Sequence, residues 1–221
     1  MKVTIETTAD GSPTFYREDL DEHYHSVKGA IAESCHVYVS SGWEMAGRGS
    51  ARVRVFEVGF GSGLNAALTA EAALDAKIAT DYHSVELNPL DTPFTELYSN
   101  ALPEELRDMF RAVNSAPWQS SSQINPYFSL TKIEANLLTM ELPGQLNVVY
   151  YDAFAQEKQP EMWDEEIFRR LYEAMAPGGM LTTYCAKGAI RRMLERIGFS
   201  CERLPGPPGG KREILRATRP N

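Results

Sequence analysis

The chain has 221 residues, 43% of them hydrophobic and 24% charged, the make-up of one folded domain with a sizeable core and not of a disordered or fibrous chain. Its opening, MKVTIETTADGSP, contains no apolar run of leader length, and no stretch of about 18 apolar residues occurs, so a cytoplasmic protein is expected, neither exported nor membrane-bound. The net charge of −8 argues against a uniformly basic nucleic-acid binder, but residues 187–221 carry nine basic and three acidic groups, +6, which leaves −14 on the remainder.

That basic segment is either a polyanion contact or a set of solvated helix and strand faces. Three scattered cysteines, Cys35, Cys185 and Cys201, form no CxxC pair and have no matching histidine spacing. They read as reduced thiols, and no metal is expected.

Residues 1–50 precede the regular pattern and are expected to form a segment on the substrate side, with a DG turn, Pro13 and a short helix near 28–33. From Arg52 the text alternates. RVRVFEVGF predicts a buried strand and GLNAALTAEAALDA a helix; DYHSVEL predicts a second strand ending at Glu86, with a helix starting near Pro89. PEELRDMFRAV predicts another helix, 115–126 a loop, and FSLTKIEA a third strand. NVVYYD then predicts a strand, WDEEIFRRLYEAM a helix stopped by PGG, and MLTTYCA a fifth strand. A helix over 187–197, closed by Gly198, precedes two strands, FSCERL and KREILRA, joined by PGPPGG. Steady alternation predicts an α/β domain over 51–221, a mostly parallel sheet with helices on both faces and an antiparallel hairpin at its C-terminal edge. Seven strands with such a hairpin resemble the Rossmann-like layout of class I methyltransferases.

In an open sheet of this kind, ligands sit beyond the carboxyl ends of the strands. After strand one stands Glu57-Val58-Gly59-Phe60-Gly61-Ser62-Gly63. Its glycines let the backbone come close to a ligand. A dinucleotide loop reads GxGxxG and seats a pyrophosphate on the helix N-terminus. Here the spacing is GxGxG with a carboxylate two residues before it, which repels phosphate but suits S-adenosyl-L-methionine, a phosphate-free molecule with an ammonium and a sulfonium. Glu57 is expected near its amino-acid end, and Glu86, 23 residues beyond Gly63, on its ribose hydroxyls. Glu134 and Asn136 are expected at the adenine, or else in a plain turn.

After strand four, the segment Asp152-Ala153-Phe154-Ala155-Gln156-Glu157-Lys158-Gln159-Pro160-Glu161-Met162-Trp163 resembles the D-G-F-A-P-x-x-N-P-x-M-W segment of the methyltransferase domain of the bifunctional enzymes that finish 5-methylaminomethyl-2-thiouridine at the tRNA wobble position. The glycine loop followed by Leu64-Asn65, the tract PGGMLTTYCAKGAIRRMLERIGF, the closing GKREILRA, the YHS at 24–26 and the ES near Glu33 resemble that family as well, so the similarity spans nearly the whole chain. Ala153, Gln156 and Gln159 replace the family's Gly, Pro and Asn. The resemblance implies methylation of an aminomethyl-uridine in tRNA with S-adenosylmethionine as donor, with Asn65 and Asp152 added to the donor site. This length leaves no room for the family's flavin-dependent oxidoreductase, so a stand-alone form is expected, linked in function to a separate enzyme that makes the aminomethyl group.

Methyl transfer to an amine needs a neutral nitrogen lone pair in line with the carbon and sulfur, so positioning carries much of the rate. Asp152 is the expected catalytic residue, holding the amine hydrogens; its plain alternative is an acid that structures the loop. Phe154 and Trp163 are candidates for stacking an extracted base, although Trp163 also suits packing at a helix start. Tyr24 and His25 are candidates at the base edge, and Lys187, Arg191, Lys211 and Arg212 at phosphates. Two other readings stand beside this one: methylation of a small amine, and a non-catalytic nucleotide-binding module.

Overall fold

A computed structural model describes residues 2–221. The N-terminal segment builds its own antiparallel sheet from β1 (Val3–Thr7), β2 (Pro13–Arg17) and β3 (Glu22–His23). It is pinned to the body of the protein: Phe15 is fully buried against Phe94 and Tyr98, and the Tyr98 hydroxyl donates to Pro13 O at 2.6 Å. The short helix expected near 28–33 is the start of a longer helical stretch. It comprises α1 (Ala30–Ser34), a π-helix (Cys35–Trp43) and α2 (Glu44–Gly47). The wider winding shows where Glu44 N–H donates to Val39 O, five residues back.

The regular part follows as β4 (Arg52–Val58), α3 (Leu64–Ala76), β5 (Ala79–Glu86), α4 (Thr92–Ala101), α5 (Glu104–Ser115), β6 (Ser121–Asn125), β7 (Phe128–Glu134) and β8 (Leu146–Tyr151). A 3-10 turn (Pro160–Trp163) leads into α6 (Glu165–Ala174), β9 (Met175–Thr183), α7 (Gly188–Ile197), β10 (Ser200–Pro205) and β11 (Glu213–Thr218). The strands lie in the order β10-β11-β9-β8-β4-β5-β7-β6. The five inner strands from β9 to β7 are parallel, and β10 and β11 form the expected antiparallel hairpin.

Within the central sheet two details differ from the sequence reading, besides the N-terminal sheet and the π-helix, which were not expected. The expected loop at 115–126 contains β6, an eighth strand that pairs antiparallel with β7 at the sheet edge. Polar Ser and Gln residues are tolerated there because only one side of the strand is paired. The PGG after α6 lies inside β9 as a bulge, where the register to β8 slips between Leu146 and Val148. A Cβ on Gly179 would come within 2.7 Å of Leu146 O, so only glycine fits the close approach.

Strands buried on both faces read as unbroken apolar runs, and successive residues divide between two cores. Val55, Val148 and Tyr150 pack with α3 and the π-helix, while Phe56, Val149 and Tyr151 pack with α6 and α7. The chain leaves β4 toward β5 and β7 and then returns to β8 on the other side of β4, so the sheet reverses direction between β4 and β8. The crevice at their carboxyl ends is therefore where a ligand site is built.

Candidate active site

Pairing of Val58 with Tyr151 brings the next residues, Gly59 and Asp152, side by side. Asp152 N–H donates to Val58 O at 3.1 Å, and a Cβ on Gly59 would lie 2.9 Å from Asp152 O. Gly59 also has φ +89°, so the position favours glycine on both counts. Gly61, at φ +54°, lies beneath the Tyr24 ring. Gly63 is the left-handed residue that opens α3 and stands behind the loop against Phe60 and Asn114.

Above the loop is a cleft of about 440 Å³. Of the residues expected from sequence, it brings together Tyr24, His25, Gly59, Gly61, Glu86, Asn136, Asp152, Phe154 and Lys211. Val27, Leu87 and Leu138, three large apolar side chains left 42 to 56% exposed, also face it. Glu86, at the end of β5, accepts from Gly61 N–H at 3.1 Å and from Asn88 N–H at 3.0 Å. Burial raises its carboxyl, and the Asn88 and Gly61 N–H groups oppose this.

Asp152 is held from behind. The Tyr38 hydroxyl, on the π-helix, donates to Oδ1 at 2.5 Å, and Asn65 Nδ2 donates to Oδ2 at 2.8 Å. Burial pushes the Asp152 carboxyl up to about 6, while the two hydrogen bonds and the Lys211 charge pull it down. Tyr38 gives no signal in the sequence, because 114 residues separate it from its partner. Glu33 and Tyr184, which also face the cleft, were equally hidden as site residues.

Several expected residues stand elsewhere. Glu57 is fully buried below the cleft floor and does not line it; its Oε2 accepts from the Ser84 hydroxyl at 2.6 Å and its Oε1 has no partner. Burial pushes it up to about 8, opposed by the Ser84 bond and reinforced by the charge of Asp152. Asn65 is likewise buried, with Oδ1 unpartnered, and touches Asp152, not the cleft. Glu134 is exposed and does not line the cleft. Trp163 is 3% exposed, packs on Tyr151 and Phe168, and donates Nε1–H to Phe154 O at 2.8 Å. A ring buried on this scale has no free face for a base, which corrects the stacking role. Lys187 pairs with Glu157 and Arg191 with Glu195, and neither lines the cleft. Arg212 is exposed on the β10–β11 turn outside it. Arg196, Arg203 and Arg216 hold Glu165, Glu213 and Glu202, so much of the basic excess is neutralised locally.

His25 is 8% exposed, its Nε2 within 3.2 Å of Ser62 Oγ, and burial drops it to about 4, so it is neutral at pH 7. Tyr24 meets Phe154 edge to face, 5.1 Å between ring centres, and the Arg17 guanidinium lies 5.7 Å over Phe154. Among the described residues no cluster of three metal-ligating side chains occurs, and no helix is long and apolar enough to cross a membrane.

Comparison with known proteins places this geometry. A family model described as S-adenosyl-L-methionine-dependent methyltransferase matches residues 104–220, just over half of the chain. The tRNA 5-methylaminomethyl-2-thiouridine biosynthesis bifunctional protein MnmC of Pseudomonas savastanoi pv. phaseolicola is 30% identical over 230 residues, which covers 97% of this chain and 34% of that protein. The protein of that name from Cupriavidus necator is 29% identical over 229 residues, 96% of this chain and 34% of its own length. The chain thus spans about a third of the curated relatives it matches. The crystal structure of MNMC2 from Aquifex aeolicus superposes with a TM-score of 0.81 at 25% identity, covering 98% of this chain and 70% of that one. Spermidine synthase from Thermotoga maritima shares the fold, with a TM-score of 0.54 at 14% identity over 99% of this chain and 73% of its own. The chain is a class I methyltransferase fold, and it belongs to the S-adenosyl-L-methionine-dependent methyltransferase family represented by the matching third of the MnmC proteins.

Proposed function

We propose that this enzyme methylates the aminomethyl nitrogen of a modified wobble uridine in tRNA, converting 5-aminomethyl-2-thiouridine to 5-methylaminomethyl-2-thiouridine. The observation that carries the reading is Asp152, clamped by Tyr38 and Asn65 and presented to the cleft directly beside Gly59. The MnmC relatives, named for this nucleoside, support the choice of acceptor.

The site fits a cationic donor. Glu57, Glu86 and Asp152 all have their carboxyls raised by burial. The carboxyls lining the cleft, Glu22, Glu33, Glu86, Asp152 and Glu161, outnumber its two cations, Arg17 and Lys211, which favours a cationic donor and disfavours a pyrophosphate. Glu86 would hold the ribose hydroxyls, the Gly59–Gly61 backbone the amino-acid portion, and Leu87, Asn136 and Leu138 the adenine. When bound, the donor supplies an electrophilic methyl carbon on a sulfonium.

The chain's own residues then position the acceptor. Ionised Asp152 accepts an N–H from the amine and so fixes the direction of the lone pair. The amine enters as an ammonium and first gives up a proton to Asp152, whose carboxyl burial holds up at about 6, or to solvent; the neutral amine then attacks, and the proton it sheds after methylation leaves by the same route. Tyr24 and Phe154 wall the mouth as faces for an unstacked base. Neutral His25, anchored by Ser62, offers a ring nitrogen to the base edge.

Incubating the protein with labelled S-adenosylmethionine and tRNA from cells lacking this gene, followed by nucleoside mass spectrometry, tests the reading. Labelled methylaminomethyl-uridine is expected, and label confined to small molecules overturns it. Methylation of a small amine is the second reading, favoured by the carboxylate pairing of the C-terminal cations. Charge reversal at Arg212, exposed outside the cleft, separates them, since it weakens a tRNA substrate and spares a small one. A separate enzyme supplying the aminomethyl-uridine follows from the first reading.

A further inference from the structure

The cleft holds a second carboxyl beside Asp152. Glu33 on α1 is only 6% exposed, and its Oε2 accepts Ser26 N–H at 2.8 Å. Tyr184, just past β9, donates its hydroxyl to Ala153 O at 2.8 Å, which fixes the ring next to the Asp152 segment. A cation already sits on that ring: Lys211 Nζ lies 3.5 Å from the Tyr184 ring centre and 4.0 Å from Glu33 Oε1. Burial raises both carboxyls, Glu33 and Asp152, and the Lys211 charge opposes that rise in each. An aromatic face flanked by carboxylates is the chemistry that recognises alkylammonium ions.

Lys211 reaches the cleft from the turn between β10 and β11, and nearly half of its side chain remains exposed. An ion pair this long on a half-exposed lysine is readily exchanged for water. The ring and the carboxyls, by contrast, belong to the packed body of the protein. The cation is therefore the replaceable member of the arrangement.

We infer that Tyr184, Glu33 and Asp152 form an alkylammonium cage in the acceptor half of the cleft, and that Lys211 occupies it as an internal stand-in which an incoming aminomethyl group displaces. This rests on the amine-acceptor reading above and adds where the amine is recognised and what must leave first. The cage discriminates by charge, so uridines with a neutral substituent at the same position leave Lys211 in place.

The test follows Lys211 in the full chain carrying lysine labelled with carbon-13 at the ε position, its signal assigned by loss in Lys211→Met. Stacked on Tyr184, the signal is expected upfield of exposed lysines and to return to their position in Tyr184→Leu. Titration with 5-aminomethyluridine should move it to the exposed position, while uridine should not. Lys211→Met should tighten 5-aminomethyluridine about threefold by removing the competitor, and Glu33→Gln should weaken it about tenfold. An exposed turn tolerates Lys211→Met, so that variant decides the matter even where Glu33→Gln fails to fold. A Lys211 signal among exposed lysines in the free protein, equal displacement by uridine, or weaker nucleoside binding in Lys211→Met would each overturn the cage. Displacement by 5-aminomethyluridine without methyl transfer to it in tRNA would leave the cage standing and remove the proposed reaction instead.

Discussion

Replacing Glu57 with Gln separates the electrostatic role of this residue from its shape. The carboxyl is fully buried and titrates at about 8 in the folded protein against an ordinary 4.5. A raised value means that the folded state binds the extra proton, so Glu57 contributes stability below pH 4.5 that is lost as pH rises through 8. At about 1.4 kcal/mol per unit, the loss reaches roughly 4 kcal/mol by pH 8. Gln is nearly isosteric, can keep the Ser84 contact, and does not titrate. Urea unfolding at pH 5, 6, 7 and 8 should therefore show Glu57→Gln increasingly more stable than the parent, by about 1 kcal/mol per pH unit. In the parent, binding of S-adenosylmethionine should strengthen from pH 5 to 8 as the carboxylates form, and the variant should keep the part of that trend due to Asp152, at about pH 6, and lose the part between pH 7 and 8. Parallel stability curves for the two proteins would refute the buried-carboxyl reasoning.

Other outcomes test the rest of the site. Asp152→Asn should lower kcat by about a hundredfold while donor affinity in calorimetry changes far less. Tyr38→Phe removes a bond that pulls Asp152 down, so the acidic limb of the kcat/KM profile, near pH 6 in the parent, should move to higher pH. Gly59→Ala sets a Cβ against Asp152 O at a left-handed φ; a melting point lower by about 5 °C and loss of donor binding are expected, and unchanged binding would show that the two strand ends are not closely apposed. Trp163→Leu should cost about 2 to 4 kcal/mol in unfolding yet leave the tRNA affinity of the folded protein within about twofold, because the ring packs among Tyr151 and Phe168.

The central sheet was legible because parallel strands buried on both faces leave mainly apolar runs such as VRVFEV and NVVYY, each followed by its helix. The glycine loop was legible for a related reason, since positive φ and close backbone approach demand glycine. What sequence left out is of a different kind. The strands of the N-terminal sheet are five residues or fewer, too short for alternation to stand out, and the π-helix has no period that distinguishes it from an ordinary helix. Tyr38, Glu33 and Tyr184 enter the site through tertiary packing alone. Trp163 stays ambiguous in sequence between stacking and helix-start packing for the converse reason: an aromatic beside a catalytic segment reads alike whether it faces the ligand or the core, and the fold puts it in the core. The basic C-terminal segment was read correctly in composition, but the carboxylates that pair it, Glu157, Glu165, Glu195, Glu202 and Glu213, are visible only in the fold.

The two halves of the cleft are built from different material, and this bears on how each can respond to substrate. Gly59, Glu86 and Asp152 follow adjacent parallel strands whose register is fixed along their length, and the van der Waals limit between Gly59 and the Asp152 carbonyl leaves no slack between them. The donor floor and the catalytic carboxyl therefore move as one body. Tyr24, His25 and Lys211 come from segments outside the inner strands and meet that body at the cleft through side chains, among them Tyr24 over Gly61 and against Phe154, His25 on Ser62, and Lys211 on Tyr184. Side-chain contacts of this kind can be exchanged without disturbing the sheet. Recognition of a bulky acceptor can then be adjustable while the alignment of the reacting atoms stays fixed, because the residues that align them do not share the segments that admit the substrate.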